Sequence, residues 1–294
     1  MTERLEYLNW LSLDVSSMRK IEHEDSISSE VFKLQKKDGS FQILKIYFDA
    51  PRWRRECYFL EVLRDLILVP EVLDVIGPTE ERRGAILMNC LEGEPLKIEQ
   101  LTKELAIQMG ELLARIHNIP IKNYGDLSQP GNESSPKEEL RSYFERSLQE
   151  SNGVLPKEFL EKCRRYFDKH VAELGLLDGP CITHRDYRPG NIMAFNGNIQ
   201  GVIDWEIARG GFSQEDFAHM EHMVWSKDDS SKEPFLEGYA RHRKVPTFEG
   251  ALPVLRFCKA LGVIGLTITR GTWQKSHRDI FNSNAAFVTA EVDR

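Results

Sequence analysis

The sequence predicts an α+β protein, with an antiparallel sheet and a helix in its N-terminal third and a larger, mostly helical region after it. Three observations predict this. β-prone alternating runs crowd into residues 18–88. Apolar residues at helical spacing dominate from residue 102 onward. One strand–loop–hairpin stretch, residues 181–206, interrupts the helices. With 294 residues, 41% hydrophobic and 29% charged, the chain can bury a sizeable core as one large or two modest domains.

Taken in order, residues 2–12 place Leu5, Leu8 and Trp10 or Leu11 on one side of a short amphipathic helix. Residues 18–22 begin a sheet. Residues 31–35 and 40–48 are strand-like on either side of the turn sequence Lys36-Lys37-Asp38-Gly39. In the second of these runs Lys45 alternates onto the side of Phe41, Ile43 and Tyr47. Such a lysine either snorkels from an edge strand or has a partner to meet. Residues 51–68 open on a proline and carry Trp53, Leu60, Leu63 and Ile67 at helical spacing, with Glu56 and Glu61 as candidate partners for that lysine. Residues 72–76 and 84–88 are two more strands across a polar turn. The run Asn89-Cys90-Leu91-Glu92-Gly93-Glu94-Pro95 is a connector. Residues 102–117 form an amphipathic helix on Leu105, Met109, Leu112, Leu113 and Ile116, closed by His117 in a capping or core role. A Gly/Pro/Ser/Asn-rich loop at 124–136 leads to helices at 137–150 and 156–176, which Gly179-Pro180 stops. Beyond the hairpin, Gly210-Gly211-Phe212 reads as a turn, followed by helices at 214–225, 233–243, 249–263 and 272–294.

Composition excludes several classes. No apolar run approaches the roughly 20 residues that span a bilayer, and the first ten residues lack a signal-like apolar core. Cys57, Cys90, Cys163, Cys181 and Cys258 are scattered and form no C-x-x-C. They are expected to be reduced, in a cytoplasmic protein with neither a disulfide framework nor a zinc site. A net charge of −7 argues against nucleic acid as a partner. Residues 204–237 hold nine acids against three bases. This excess suits either a cationic, amine-bearing partner molecule or a solvated acidic face.

Residues 181–206 carry the chemistry. Residues 181–183, 192–195 and 199–203 are short β-prone runs, the last two joined by Asn196-Gly197-Asn198, a strong hairpin signal. The three runs are expected to form one small sheet that pins Asp186, Asn191 and Asp204 at its ends. A carboxylate can take a proton from a hydroxyl, and an amide oxygen with a second carboxylate can hold Mg²⁺, which prefers oxygen ligands. His219 and His222, three apart on a helix, could bind a metal but lack a matching third ligand.

The pattern His184-Arg185-Asp186, with Asn191 five residues on and Asp204-Trp205-Glu206 after the hairpin, resembles the catalytic loop and metal-binding aspartate of the protein-kinase-like fold. The Asp-Trp-Glu ending is similar to that of its small-molecule branch, the aminoglycoside phosphotransferase and choline kinase-like family. The resemblance implies two lobes: residues 1–88 as a nucleotide-binding lobe, 89–95 as a hinge, and 96–294 as the catalytic and acceptor-binding lobe. It implies a phosphotransferase moving the γ-phosphate of ATP or GTP, with Mg²⁺, to a hydroxyl of a small acceptor, as a monomer or homodimer without a membrane or nucleic-acid partner. Asp186 and Arg188 would be catalytic, the first on the acceptor hydroxyl and the second on the phosphoryl group. Asn191 and Asp204 would hold the metal. Lys45, steadied by Glu56, would grip the phosphates. Asn89 and Leu91 would read the base through their backbone, and Asp216 would brace the catalytic loop. Residues 22–30 lie where the family carries its phosphate-covering loop. They contain no glycine, but Ser26, Ser28 and Ser29 offer hydroxyls, of which Ser28 is the expected contact. The acceptor would be an aminoglycoside-type antibiotic or, alternatively, a metabolite of choline, homoserine, sugar or fructosamine type. A catalytically silent nucleotide-binding protein is the remaining alternative.

Overall fold

The computed structural model describes residues 2–21, 28–129, 131, 135–172 and 174–294, with residues 2–5 described through their backbone alone. The chain divides into two compact units, one of Met1–Leu101 with Pro189–Ala208 and one of Thr102–Arg188 with Arg209–Arg294. The hairpin expected in the C-terminal lobe therefore belongs to the first unit. It does so because its leading strand pairs with Glu94–Pro95.

In the N-terminal unit, α1 (Thr2–Trp10) precedes an antiparallel sheet of order β1-β2-β3-β5-β4, formed by Val15–Ile21, Ser29–Lys36, Phe41–Tyr47, Val72–Ile76 and Ala85–Asn89 in chain order. β3 is buried on both faces. Leu44 and Ile46 enter a core with Tyr7, Leu8, Phe32 and Leu34, while Lys45 and Tyr47 are buried on the opposite face. Helix α2 (Ala50–Leu63) begins where the Asp49 carboxylate accepts the Arg52 N–H at 3.0 Å and Pro51 occupies the first turn. It ends at Leu63 rather than 68, ahead of Val69-Pro70, where the proline favours extended backbone. Its buried face is Glu56, Phe59, Leu60 and Leu63. A second sheet, β6-β8-β9, joins Glu94–Pro95 to the hairpin strands Ile192–Phe195 and Asn198–Val202. The hairpin turn is as expected: Asn196 and Gly197 have φ of 49° and 76°.

In the C-terminal unit, β7 (Cys181–Thr183) pairs with β10 (Arg209–Gly211). Two expectations are corrected here. The strand at 181–183 does not share a sheet with the hairpin, and Gly210-Gly211 is strand rather than turn. These glycines serve close approach: a Cβ on Gly210 would lie 2.2 Å from the Asn123 carbonyl oxygen, and one on Gly211 2.5 Å from Thr183 Oγ1. Around this ribbon pack α3 (Lys103–His117), α4 (Pro136–Ser151), α5 (Lys157–Ala172), α6 (Gln214–Met220), α7 (Lys232–Ala240), α8 (Leu252–Thr269) and α9 (Arg278–Val292). Thr102 caps α3 through the Leu105 N–H, and Ser135 with Glu138 forms a capping box on α4. α6 continues as a π-helical turn over Glu221–Trp225.

Helix α8 is long and apolar enough, by length and composition alone, to cross a membrane. Ten of its residues are nevertheless buried against this unit's other helices, which makes it the core helix here. Phe144 of α4 stacks on Phe167 of α5 at 4.0 Å, beside Phe257 of α8.

Helices α3 and α7 meet backbone to backbone. A Cβ on Gly110 would lie 2.0 Å from the Phe235 carbonyl oxygen, and one on Gly238 2.0 Å from that of Ile107. Gly110→Ala is expected to lower unfolding stability by about 1–3 kcal/mol, the usual cost of overpacking. Gly250→Ala, with nothing within 4 Å, should stay within about 0.5 kcal/mol. Paired urea titrations check both.

Candidate active site

In the N-terminal unit three carboxylates gather on one ammonium group. Lys45 is 5% exposed. Its Nζ lies 2.6 Å from Glu56 Oε2, 2.6 Å from Asp204 Oδ1 and 3.2 Å from Glu206 Oε2. The alternation of β3 turns Lys45 away from Leu44 and Ile46. The second turn of α2 supplies Glu56, whereas the rival Glu61 is exposed beside Arg64. Asp204 follows β9 in the left-handed region, φ 69°, which aspartate tolerates better than bulky residues do. Glu56 also accepts the Tyr47 hydroxyl at 2.7 Å and the Trp205 N–H at 3.3 Å. Glu206 takes Arg52 Nη1 at 2.8 Å and a hydrogen bond from Ser28, and its carbonyl oxygen takes Arg55 Nε at 2.9 Å. Ser28 thus has a carboxylate partner, and Ser26 lies outside the described residues.

Burial works against the charge on Lys45, but Asp204, Glu206 and Glu56 together hold its pKa well above the usual ammonium value. Burial would also raise Glu206, yet Lys45 and Arg52 bring it down to about 2. Glu56 goes the other way: burial, with Asp204 and Glu206 nearby, pushes it up to about 7 against the pull of Lys45.

Among the described residues, oxygens of Glu56, Asp204 and Glu206 lie within 4.8 Å of one another. Asn191 ends the short turn before β8 and is 4% exposed; its carbonyl oxygen accepts the Ile203 N–H at 3.0 Å. This all-oxygen donor set fits a hard divalent cation such as Mg²⁺. Of the two expected base-reading residues, Asn89 exchanges backbone and side-chain hydrogen bonds with Glu71, at 3.0 and 2.9 Å. Leu91 lies over Gly201.

In the C-terminal unit the loop after β7 hangs on one buried acid. Asp216 of α6 accepts the His184 N–H at 3.0 Å and the Arg185 N–H at 2.6 Å. His117 lies 3.1 Å from Asp216 and 2.8 Å from the Tyr239 hydroxyl, so it is a core residue. His184 Nδ1 accepts the Asp186 N–H at 3.2 Å. The Asp186 carboxylate then faces His219 Nε2 at 3.0 Å, Arg188 Nε at 3.3 Å and Lys259 Nζ at 3.5 Å. Burial would raise Asp186, but Lys259, His219 and Arg188 hold it well below the usual carboxylate range. Burial and Lys259 lower His219 to about 4, so the ring is neutral at pH 7. His222, its expected metal-site companion, meets Asn284 at 3.4 Å. Lys259 was not foreseen. Its signal was available, since Arg256 and Lys259 are the only charged residues in the apolar run Leu252–Thr269.

Comparison with known families matches residues 21–257 to the phosphotransferase enzyme family. The chain belongs to that family. No curated protein sequence matches. Among solved structures, the fold is shared with aminoglycoside phosphotransferase APH(4)-Ia at a TM-score of 0.75 and 16% identity, over 99% of this chain and 98% of that one. A thermostable mutant of that enzyme in complex with ADP and hygromycin B gives 0.72 and 15%, over 99% and 97%. Macrolide 2'-phosphotransferase MphH from Brachybacterium faecium gives 0.65 and 17%, over 96% and 98%. APH(2")-IIia with GDP and kanamycin gives 0.69 and 11%, over 97% and 98%. At these identities the likeness establishes a kinase-like phosphotransferase fold.

At least five of the nine acids at residues 204–237 of this phosphotransferase-family chain have partners within their own unit. Asp204 and Glu206 meet Lys45, Glu215 meets Arg185 and Arg209, Asp216 holds the loop amides, and Glu221 meets Lys232. Asp216 itself is fully buried. Burial would raise its pKa, but the hydrogen bond and charge of His117 and the neighbouring His184 lower it. A depressed folded-state pKa gives stability that is complete above the unfolded value near 4 and is lost as pH falls through the folded one. Asp216→Asn is therefore expected to cost about 1–3 kcal/mol at pH 7. The difference from wild type should shrink below about pH 4. Chemical denaturation across pH checks the sign.

Proposed function

We propose that the chain transfers the γ-phosphoryl group of ATP or GTP to a hydroxyl of a small molecule, with Mg²⁺ as cofactor. The observation that carries this reading is the buried Lys45 ammonium, bonded at once to Glu56 of α2 and to Asp204 after the hairpin. A structural lysine has no need of both, whereas a phosphate-gripping lysine must be held in place beside a metal-binding carboxylate.

Phosphoryl transfer passes through a loose transition state, so positioning and charge neutralisation supply most of the rate. Lys45 holds phosphate oxygens, with Glu56 and Glu206 fixing its reach. Asn191 and Asp204 would hold Mg²⁺, which when bound neutralises and orients the phosphates. Asn89 and Leu91, in the connector at residues 89–95, meet the base through their backbone. Asp186 orients the acceptor hydroxyl. Its depressed pKa makes it a weak base, which suits an alcohol that surrenders its proton late. Arg188, beside Asp186, meets the transferring group with its guanidinium. The acceptor is a small hydroxylated compound, antibiotic or metabolite. Hygromycin B and kanamycin are the ligands in two of the neighbouring structures. The presence of Lys45, Asp186, Asn191 and Asp204 together disfavours a silent nucleotide binder.

Asp186→Ala should lower acceptor-dependent NDP release by about 10²–10⁴-fold while nucleotide binding persists. Equal turnover in the variant would remove Asp186 from the mechanism. Asp204→Ala should abolish Mg²⁺-dependent nucleotide binding, measured by calorimetry with and without the ion. With Glu56 pushed up to about 7, kcat/KM should fall as pH drops through that value, because a protonated Glu56 loosens Lys45. Glu56→Gln should be slower and lack this limb, which a pH–rate profile of both forms reveals.

A further inference from the structure

Helix α8 is the apolar core helix of the C-terminal unit, yet it turns one lysine inward. The Lys259 side chain is 24% exposed. Among the described residues its Nζ has two polar partners, both in the loop after β7: the Arg185 carbonyl oxygen at 3.3 Å and Asp186 Oδ1 at 3.5 Å. Withdrawing an ammonium from water is costly, so the contact needs a reason.

Holding the loop in place is a poor one. The loop is already tied by shorter bonds. Asp216 accepts the His184 and Arg185 N–H groups at 3.0 and 2.6 Å, and the Tyr187 hydroxyl donates to the Met109 carbonyl oxygen at 2.7 Å. The Lys259 contacts are long for hydrogen bonds. Coulomb attraction falls only as the inverse of distance, so at 3.5 Å the charge still acts almost in full. Lys259 therefore contributes charge more than tethering. Burial would raise Asp186, and Lys259 is foremost among the groups that bring it down.

The two oxygens of Asp186 are served from different sides. His219 of α6 lies 3.0 Å from Oδ1, and Lys259 of α8 approaches the same atom. Arg188, in the loop itself, lies 3.3 Å from Oδ2. The reading above gives Arg188 a second duty, on the transferring group, and it cannot serve both at once. When it turns away, Asp186 keeps the Lys259 charge and the neutral His219 ring, both on Oδ1.

We propose that Lys259 is a positioning residue for phosphoryl transfer: as a standing counter-ion on Oδ1 it keeps Asp186 ionised and aimed, leaves Oδ2 for the acceptor hydroxyl, and frees Arg188 for the phosphoryl group. The acceptor oxygen then bonds to the γ-phosphorus as the bond to the β–γ bridging oxygen breaks, its proton passes to Oδ2, and the nucleoside diphosphate leaves. The proposal rests on the phosphotransfer reading and adds a residue from a helix outside the catalytic loop.

NDP release from ATP and GTP with Mg²⁺ tests it, with water in the place of the acceptor hydroxyl. Lys259→Met should lower kcat by about 10–100-fold, the scale of one charge-assisted contact, and leave the nucleotide KM within about twofold. Lys259→Arg should recover most of the rate. Arg188→Ala should cost less in the Lys259→Met background than in wild type, because Arg188 is then drawn back to Asp186; a merely structural lysine gives additive losses. Lys259→Gln, which is neutral but keeps a donor, carries the same test should Lys259→Met unfold in urea titrations. An unchanged kcat in the neutral variants, Lys259→Arg no faster than Lys259→Met, or additive losses with Arg188→Ala overturns the proposal. Asp186→Ala separates the two claims. If it releases NDP as fast as wild type, the phosphotransfer reading fails and this proposal with it. An Asp186-dependent rate that survives loss of the Lys259 charge overturns the proposal alone.

Discussion

The N-terminal unit is built around a buried ammonium. Lys45 donates hydrogen bonds to two carboxylates and lies close to a third, with Arg52 supplying the second positive charge. Three carboxylates brought this close would repel one another strongly in a buried setting, and a lone buried lysine would lose its proton. Each side therefore makes the other tenable. The arrangement also explains why β3 is buried on both faces: one face meets the small apolar core, and the other carries Lys45 and Tyr47 toward Glu56.

The two acids given leading roles are held by different physics. Asp204 occupies a left-handed backbone position at the end of a hairpin, so its direction is set by local geometry. Asp186 sits in a loop whose amides are tied to Asp216, which is itself braced by His117. Their surroundings differ in sign as well. Asp204 shares one lysine with two other acids, whereas Asp186 alone faces Arg188, Lys259 and His219. In the proposed reaction the first setting suits a divalent cation and phosphates, and the second suits the acceptor hydroxyl.

Much of this was legible in the sequence because short-range rules govern it. The Asn196-Gly197 turn, the helix opening at Thr102 and the alternation that sets Lys45 beside an apolar face are local signals, and Glu56 over Glu61 followed from the family resemblance. What failed was non-local. The partner of residues 181–183 is β10, some 26 residues away, and no propensity distinguishes that pairing from a sheet with the adjacent hairpin. Gly210-Gly211 looked like a turn because glycine's permissiveness and its lack of a Cβ leave the same mark in a sequence. Lys259 was passed over within an apolar helix, although the reasoning applied to Lys45 fits it equally. The acid excess at residues 204–237 was visible as a count, but which of those acids meet a base depends on tertiary partners.

The central claim is that Lys45, Asn191 and Asp204 serve one nucleotide and its metal ion. A crystal structure of the chain with a non-hydrolysable ATP or GTP analogue and Mg²⁺ tests it most directly. The account predicts the ion on side-chain oxygens of Asn191 and Asp204, with the Lys45 ammonium against a phosphate oxygen. An ion bound by Glu56 and Glu206 with Asn191 turned away, or a nucleotide seated apart from Lys45, would contradict it.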